Sequence, residues 1–398
     1  MGLLDYYRQF QGLSEREVNA RLRERAAQRR EQALARLEPL DLTATTWPHL
    51  PHPYVVNAVT YAARRGLHRY VGAQAQESLR HRLADLHGLA PEQVVVGNGA
   101  ASLLGSAALA LLGPDRELIC PWPTYPLIPV MARRAGARAV PVAEYSVEAL
   151  LAAVNPNTAA VALASPNDPT GELLTASDLG RLLGELPDRV LVLLDQALVE
   201  FAQAESPAAA SALLAEHDRL ILFRSFSKAW GLAGLRCGYA LAGPGARDLL
   251  EHIGPELGVN ELAQTGALEA LRSSGPLMDE RAAWVAAERG RLTTSLRELG
   301  LTVSESEANF VWFGHPTLDG SELAHRLRRS AIHVAPGAAL GDSRFVRASI
   351  QDSGATDRLL VGLRSALADQ SGAGAEAEQS GAGAEADQSG AGAEADQS

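Results

Sequence analysis

The sequence predicts an α/β fold: a mostly parallel, doubly covered sheet joined to a smaller α+β domain. Three observations carry this. Short apolar runs recur at Val94–Val96, Glu117–Cys120, Ala160–Leu163, Val190–Leu194 and Leu220–Phe223. Amphipathic stretches such as Ala176–Leu186 separate them, and continuous apolar strands alternating with helices mark parallel sheets buried on both faces. From about Gly243 the pattern turns helical (Ala282–Leu299), then strand-like at Ala308–Phe313, then helical again at Ser321–Arg329, which fits a second, smaller α+β unit.

The ends differ from this body. Ser14-Glu15-Arg16-Glu17 reads as a capping box that opens a charged helix to about Leu37, with a sparse apolar stripe at Val18, Leu22 and Ala26. An arm or packing helix is predicted there. At the other end the unit Ser-Gly-Ala-Gly-Ala-Glu-Ala-Glu/Asp-Gln repeats from Ser371 to Gln397. Small and acidic side chains cannot bury a core, so the tail is predicted to be disordered. A Ca²⁺-binding β-helix repeat needs a large apolar residue in each unit, and this one has none. The expected division is an arm packing with the small domain over 1–45, a large domain over 46–243, a small domain over 244–368, and a disordered acidic tail over 369–398.

Composition excludes several function classes. Of 398 residues, 46% are hydrophobic and 21% charged, and no apolar run approaches the ~20 residues of a membrane helix. Met1 to Arg8 lacks a basic start and an apolar core, so no secretory signal is expected. Two cysteines, Cys120 and Cys237, build no disulfide framework. The cytoplasm fits best. The net charge of −11 owes much to the tail acids, and no basic block exists, so nucleic acid is not an expected partner. The ten His are scattered; His49/His52 and His81/His87 lack acidic companions, so no metal site is expected.

The basic residues carry the sharpest signal. All but one of the 36 are Arg, and the exception is Lys228. Lysine can lose its proton and form a Schiff base, which arginine cannot. Lys228 lies in a segment of small residues rather than on a charged helix face.

In parallel sheets ligands collect beyond the carboxyl ends of strands. After Val94–Val96 come Gly97-Asn98-Gly99-Ala100-Ala101, a glycine turn into a helix whose free N–H groups suit a phosphate. After Ala160–Leu163 comes the turn Ser165-Pro166-Asn167-Asp168-Pro169-Thr170-Gly171, and after Val190–Leu194 comes Asp195. A buried carboxylate there needs a partner or serves as a helix cap. After Leu220–Phe223, the segment Ser225 to Tyr239 places two hydroxyls, the lysine and Arg236 among glycines and alanines. A phosphate cradle, a carboxylate for a cationic ring nitrogen and an amine for an aldehyde are the three needs of pyridoxal 5'-phosphate.

The segment Ser225 to Tyr239 resembles the cofactor-lysine signature of class I/II, fold-type I aminotransferases, most closely the histidinol-phosphate group. His68-Arg69-Tyr70, Pro123-Thr124-Tyr125, Ser165 to Gly171, Asp195 to Phe201 and Arg347 match in order, over about residues 45–367. The resemblance implies that Lys228 bonds the cofactor aldehyde and then moves the proton between Cα and C4′. It implies that Asp195 keeps the pyridine nitrogen protonated. Ser225, Ser227 and Arg236 bind the phosphate with backbone N–H groups at Gly99, Ala100 and Ala101. Tyr125 stacks on the ring, and Asn167 and Asp168 stand beside it. Tyr70 reaches the neighbouring subunit's cofactor, which implies a homodimer with shared sites. Arg347 grips the substrate carboxylate through paired hydrogen bonds.

Four positions depart from the family's pattern. Asp168 stands where an Asn usually precedes Pro-Thr-Gly, and Leu198 where a Tyr usually follows the strand-end acid. Both neutral donors to the ring oxygen O3′ are therefore missing. An ionised Asp168 would repel that oxygen, which leaves Asp168, O3′ or the imine to hold a proton. Ala101 stands where an Asp is common, and Ala335 replaces a second Arg of histidinol-phosphate enzymes. The expected function is an aminotransferase for an amino acid or similar amine, with a keto-acid acceptor. The alternatives are a decarboxylase, cyclase or lyase with the same cofactor, and a non-catalytic cofactor-binding module.

Overall fold

The computed structural model describes residues 12–34, 38–70 and 73–382, with side chains described over 12–25, 38–70 and 77–368. Readings that fall on 1–11, Leu37, the side chain of Ala26 and 383–398 lie outside the described residues. The first helix spans Glu15–Leu34. The hydroxyl and backbone N–H of Ser14 each donate to the Glu17 carboxylate at 2.7 Å, as its capping motif predicts. A short strand, β1 (Leu40–Asp41), follows.

The large sheet contains β2 (Val94–Gly97), β3 (Glu117–Pro121), β4 (Arg138–Val142), β5 (Thr158–Ala164), β6 (Leu191–Asp195), β7 (Leu220–Ser225) and β8 (Gly238–Ala242). Its order is β2-β8-β7-β6-β5-β3-β4. Strands β4, β3, β5, β6 and β7 run parallel, and β8 is antiparallel to β7 and β2. Side chains alternate between the two faces of a strand. Val161, Leu163, Val192 and Leu194 enter one core, while Ala160, Ala162 and Leu193 enter the other. Both faces are buried, which is why these strands read as unbroken apolar runs. Two strands lie outside those runs. β4 is a sheet edge, where Pro141 costs no ladder bond, and β8 begins at the last two residues of the lysine segment and runs on to Ala242.

The helix Glu261–Ser273 places Ala263, Ala267 and Ala270 in the same core as Val55 and Leu79. The packing of the large sheet therefore reaches past the boundary expected at residue 243. The second unit pairs β9 (Thr302–Val303), β10 (Phe310–Gly314), β12 (Ala335–Pro336) and β13 (Phe345–Ser349) in the antiparallel order β12-β13-β10-β9, while β11 (Ile332–His333) pairs with β1. Its core joins Leu292, Leu296, Val311, Phe313 and Leu363 to Leu40 and Leu42 from before residue 45.

The last helix runs from Ser353 to Ala382 and thus enters the repeat, where disorder was the expectation. Leu359 and Leu363 anchor its first turns in the core. Extending a formed helix costs far less than starting one, and the alanines and glutamates of the repeat favour extension. Among the described residues no helix is long and apolar enough to cross a membrane.

Candidate active site

Strands β5 and β6 end level, with Ala164 the register partner of Asp195, and β7 continues past Phe223, the partner of Asp195 on its other side, to Ser225. Gly238 likewise pairs with Gly97 on one side and Ser225 on the other. A cavity of about 210 Å³ opens beyond these ends. Ala100, Ala101, Tyr125, Asp168, Asp195, Ser225, Ser227, Lys228 and Arg236 all line it. A larger hollow of about 840 Å³ lies at the sheet edge beside Arg133, Arg138 and Trp122, away from these groups. The chemistry belongs to the smaller one.

One end is built for an anion. Gly99 caps the helix Ala100–Leu111 with φ +93°, and a Cβ there would lie 2.7 Å from the Arg236 guanidinium. A Cβ on Gly238 would lie 2.3 Å from the Ala100 nitrogen. Only glycine lets β8 and the helix start approach so closely. The Arg236 guanidinium donates to Ser227 Oγ at 3.3 Å and to the Ala233 carbonyl at 3.0 Å. The Ser227 N–H donates to Ser225 Oγ at 3.0 Å. A helix N-terminus, an arginine and two hydroxyls converge, as a phosphate requires.

Lys228 Nζ donates to Thr45 Oγ1. Burial pushes its amine below the ordinary lysine range, a push that Arg347 and Arg236 reinforce and the Asp168 and Asp195 carboxylates oppose. Asp195 is 7% exposed, and its Oδ1 accepts the Ala197 N–H at 3.0 Å. Burial raises its carboxyl to about 6 with help from the Asp168 charge, against that hydrogen bond and the Lys228 charge. A cationic partner would return it to the anion. Burial, then the charges of Asp195 and Asp168, raise the Tyr125 phenol.

Arg347 stands behind Asp168. Its Nη1 donates to Asp168 Oδ1 in a nearly buried ion pair, and its Nη2 donates to the Thr43 carbonyl at 2.8 Å. Its Nε is buried without a partner among the described residues, and its guanidinium carbon lies 5.3 Å from the centre of the Phe310 ring. Asp168 therefore faces Arg347.

Besides Gly99 and Arg347, two expected site residues do not line the cavity. Asn167 is fully buried behind the cavity wall: its side chain accepts from Thr124 Oγ1 at 2.9 Å and donates to the Pro123 carbonyl at 3.1 Å and Thr170 Oγ1 at 2.9 Å. These three bonds tie it to Thr124, Pro123 and Thr170, and it is not among the residues that line the cavity. Tyr70 lies outside the cavity with 86% of its surface exposed. Thr45 was missed, because nothing in Thr43-Ala44-Thr45-Thr46 marks one hydroxyl as the partner of a lysine far along the chain. Leu198 does line the cavity, as its place after Asp195 implies. Among the described residues no group of three or more His, Cys, Asp or Glu could hold a metal.

An anion cradle, a buried amine, a strand-end carboxylate and an aromatic ring share one cavity. They fit the phosphate, aldehyde, ring nitrogen and ring face of pyridoxal phosphate. Residues 38–363 match the family described as Aminotransferase class I and II. The aromatic amino acid aminotransferase of Streptomyces coelicolor is 33% identical over 327 residues, 80% of this chain and 88% of that protein. Histidinol-phosphate aminotransferase 2 of Ralstonia nicotianae is 34% identical over 318 residues, 78% of this chain and 84% of that protein. The crystal structure of histidinol-phosphate aminotransferase from Sinorhizobium meliloti, in complex with pyridoxal-5'-phosphate, superposes with a TM-score of 0.75 at 27% identity, covering 86% of this chain and 94% of that one. The chain belongs to the class I and II aminotransferases, pyridoxal-phosphate-dependent transferases of fold type I.

Proposed function

We propose that this protein transfers the amino group of an amino acid or similar amine to a keto acid, with Lys228 as the reacting amine. The observation that carries this is the single cavity in which Lys228, Asp195 and the Arg236 cradle meet. When bound, pyridoxal phosphate supplies an aldehyde that takes up the substrate amine and a ring that draws electrons from its α-carbon. Lys228 anchors the cofactor and, once released, moves a proton at that carbon. Burial favours its neutral amine, the form a base needs. Asp195 holds a proton on the ring nitrogen. Ser225, Ser227, Arg236 and the N–H groups at Ala100 and Ala101 hold the phosphate, Tyr125 covers the ring, and Arg347 meets the substrate's carboxylate.

The relatives are named for aromatic amino acids and for histidinol phosphate. A phosphorylated amino alcohol needs its phosphate gripped by more than one cation, and the residues paired with Arg347 across the sheet are Ala335 and Trp312. An amino acid is the better match. A second reading, decarboxylation, cyclisation or elimination with the same cofactor, draws support from Leu198 in the cavity wall and from the turn of Asp168 toward Arg347. We also place the protein in the cytoplasm as a homodimer. Exposed Leu67, Tyr70 and Leu257 on one face support shared sites, with Tyr70 serving the partner's phosphate.

Borohydride should fix pyridoxal phosphate to Lys228 in the wild type and nowhere in Lys228→Ala. A panel of amino donors should then convert the visible absorbance of the loaded protein to that of the amine form. No adduct, or no conversion by any donor, overturns the proposal. Release of CO2 or ammonia without stoichiometric keto acid establishes the second reading.

A further inference from the structure

We propose that Asp168 is a built-in competitor for the substrate carboxylate, so that the site gains little from a carboxylate on the amine-bearing carbon. The inference rests on the reading of Arg347 as the carboxylate grip. Three observations point to it. Asp168 lines the cavity while Arg347 does not, so the carboxylate stands between the incoming molecule and the guanidinium. Both outer nitrogens of that guanidinium are engaged, Nη1 by Asp168 and Nη2 by the Thr43 carbonyl. A carboxylate gripped in two parallel bonds needs at least one of these outer nitrogens, so it competes with Asp168 and the Thr43 carbonyl for the guanidinium. Finally, the side chains of Arg347 and Asp168 are only 10% and 14% exposed, so solvent screens the pair weakly.

A substrate carboxylate must break this pair to reach Arg347. It then leaves the Asp168 charge unpaired in the same cavity, beside a second negative charge. One ion pair is exchanged for another, and a like-charge contact is added. An amine without that carboxylate leaves the pair intact. Asp168 thus narrows the advantage that amino acids have over amines bringing other binding groups, and it raises the concentration of keto acid needed to complete the cycle. An Asn at this position carries no charge to compete.

The test uses protein loaded with pyridoxal phosphate, with 3-phenylpropionate and its amide as unreactive probes and calorimetric binding as the readout. Asp168→Asn should bind the carboxylate at least about tenfold more tightly than the wild type, and the amide with unchanged affinity. Equal or weaker carboxylate binding in the variant, including no detectable binding by either protein, overturns the proposal. In the wild type the carboxylate should bind no more than about threefold tighter than the amide; a larger preference overturns it too. That measurement decides alone if Asp168→Asn does not fold. A protein that takes up no cofactor fails the parent reading instead, which the visible spectrum shows before any probe is added.

Discussion

Ala335 and Arg347 are register partners across the antiparallel pair β12–β13, so their side chains leave the sheet at adjacent points on one face. Ala335→Arg places a second guanidinium beside the first. The KM of a phosphorylated amino alcohol should fall by about tenfold or more, because two cations then share a dianion. Titration of the half-reaction measures this. An unchanged KM means that the strand does not present position 335 to the substrate.

Asp195 gives a pH signature in the cofactor-free protein. Its folded value of about 6 lies above its ordinary 3.8. The folded state holds a proton that the unfolded chain has released, so this contribution to stability is full below about pH 4 and lost as pH rises through 6. The stability of the wild type relative to Asp195→Asn should fall by roughly 2–3 kcal/mol across that window. Urea melts at pH 4, 5, 6 and 7 measure it, and parallel curves refute it. In the loaded enzyme the same substitution should slow turnover at least about a hundredfold, or ~2.7 kcal/mol.

Gly238 and Gly234 lie close in sequence and differ in what surrounds them. A Cβ at Gly238 meets the Ala100 nitrogen at 2.3 Å, whereas one at Gly234 meets nothing within 4 Å. Gly238→Ala should push the helix start off β8, costing about 1–3 kcal/mol of stability and weakening cofactor binding about tenfold or more. Gly234→Ala should change stability by less than about 0.5 kcal/mol. Equilibrium dialysis with pyridoxal phosphate and thermal melts separate the two.

His87 contributes a slope of the opposite sense. Burial, aided by the Arg224 charge, lowers it from 6.5 to about 4, and its Nε2 lies 3.0 Å from the Tyr239 hydroxyl. The folded state refuses a proton that the unfolded chain takes up. Stability from this group is complete above pH 6.5 and lost as pH falls toward 4. His87→Gln should flatten the wild-type loss between pH 7 and pH 5 by about 1–2 kcal/mol, read from urea midpoints.

Residues whose roles rest on strand position were legible in the sequence. Asp195, Lys228 and Ser225 each follow an apolar run, and a parallel sheet brings such positions to one edge whatever the details of packing. Positions set by side-chain direction were not. Asn167 and Asp168 are adjacent, yet one points into its own turn and the other into the cavity. No periodicity distinguishes them. The Asp168–Arg347 pair joins residues 179 positions apart, and a contact of that range leaves no trace in local pattern.

The stretch from Leu40 to Thr45 carries no motif, yet it threads the molecule together. The Leu42 carbonyl accepts from the N–H and the hydroxyl of Ser349, the Thr43 carbonyl from Arg347, and the Thr45 carbonyl from Asn309. The Thr45 hydroxyl, meanwhile, meets Lys228. A rigid-body swing of the C-terminal unit would therefore drag this strap along and tug directly on the reactive nitrogen. Any closure of that unit over a bound guest would be felt at Lys228 through six consecutive amino acids.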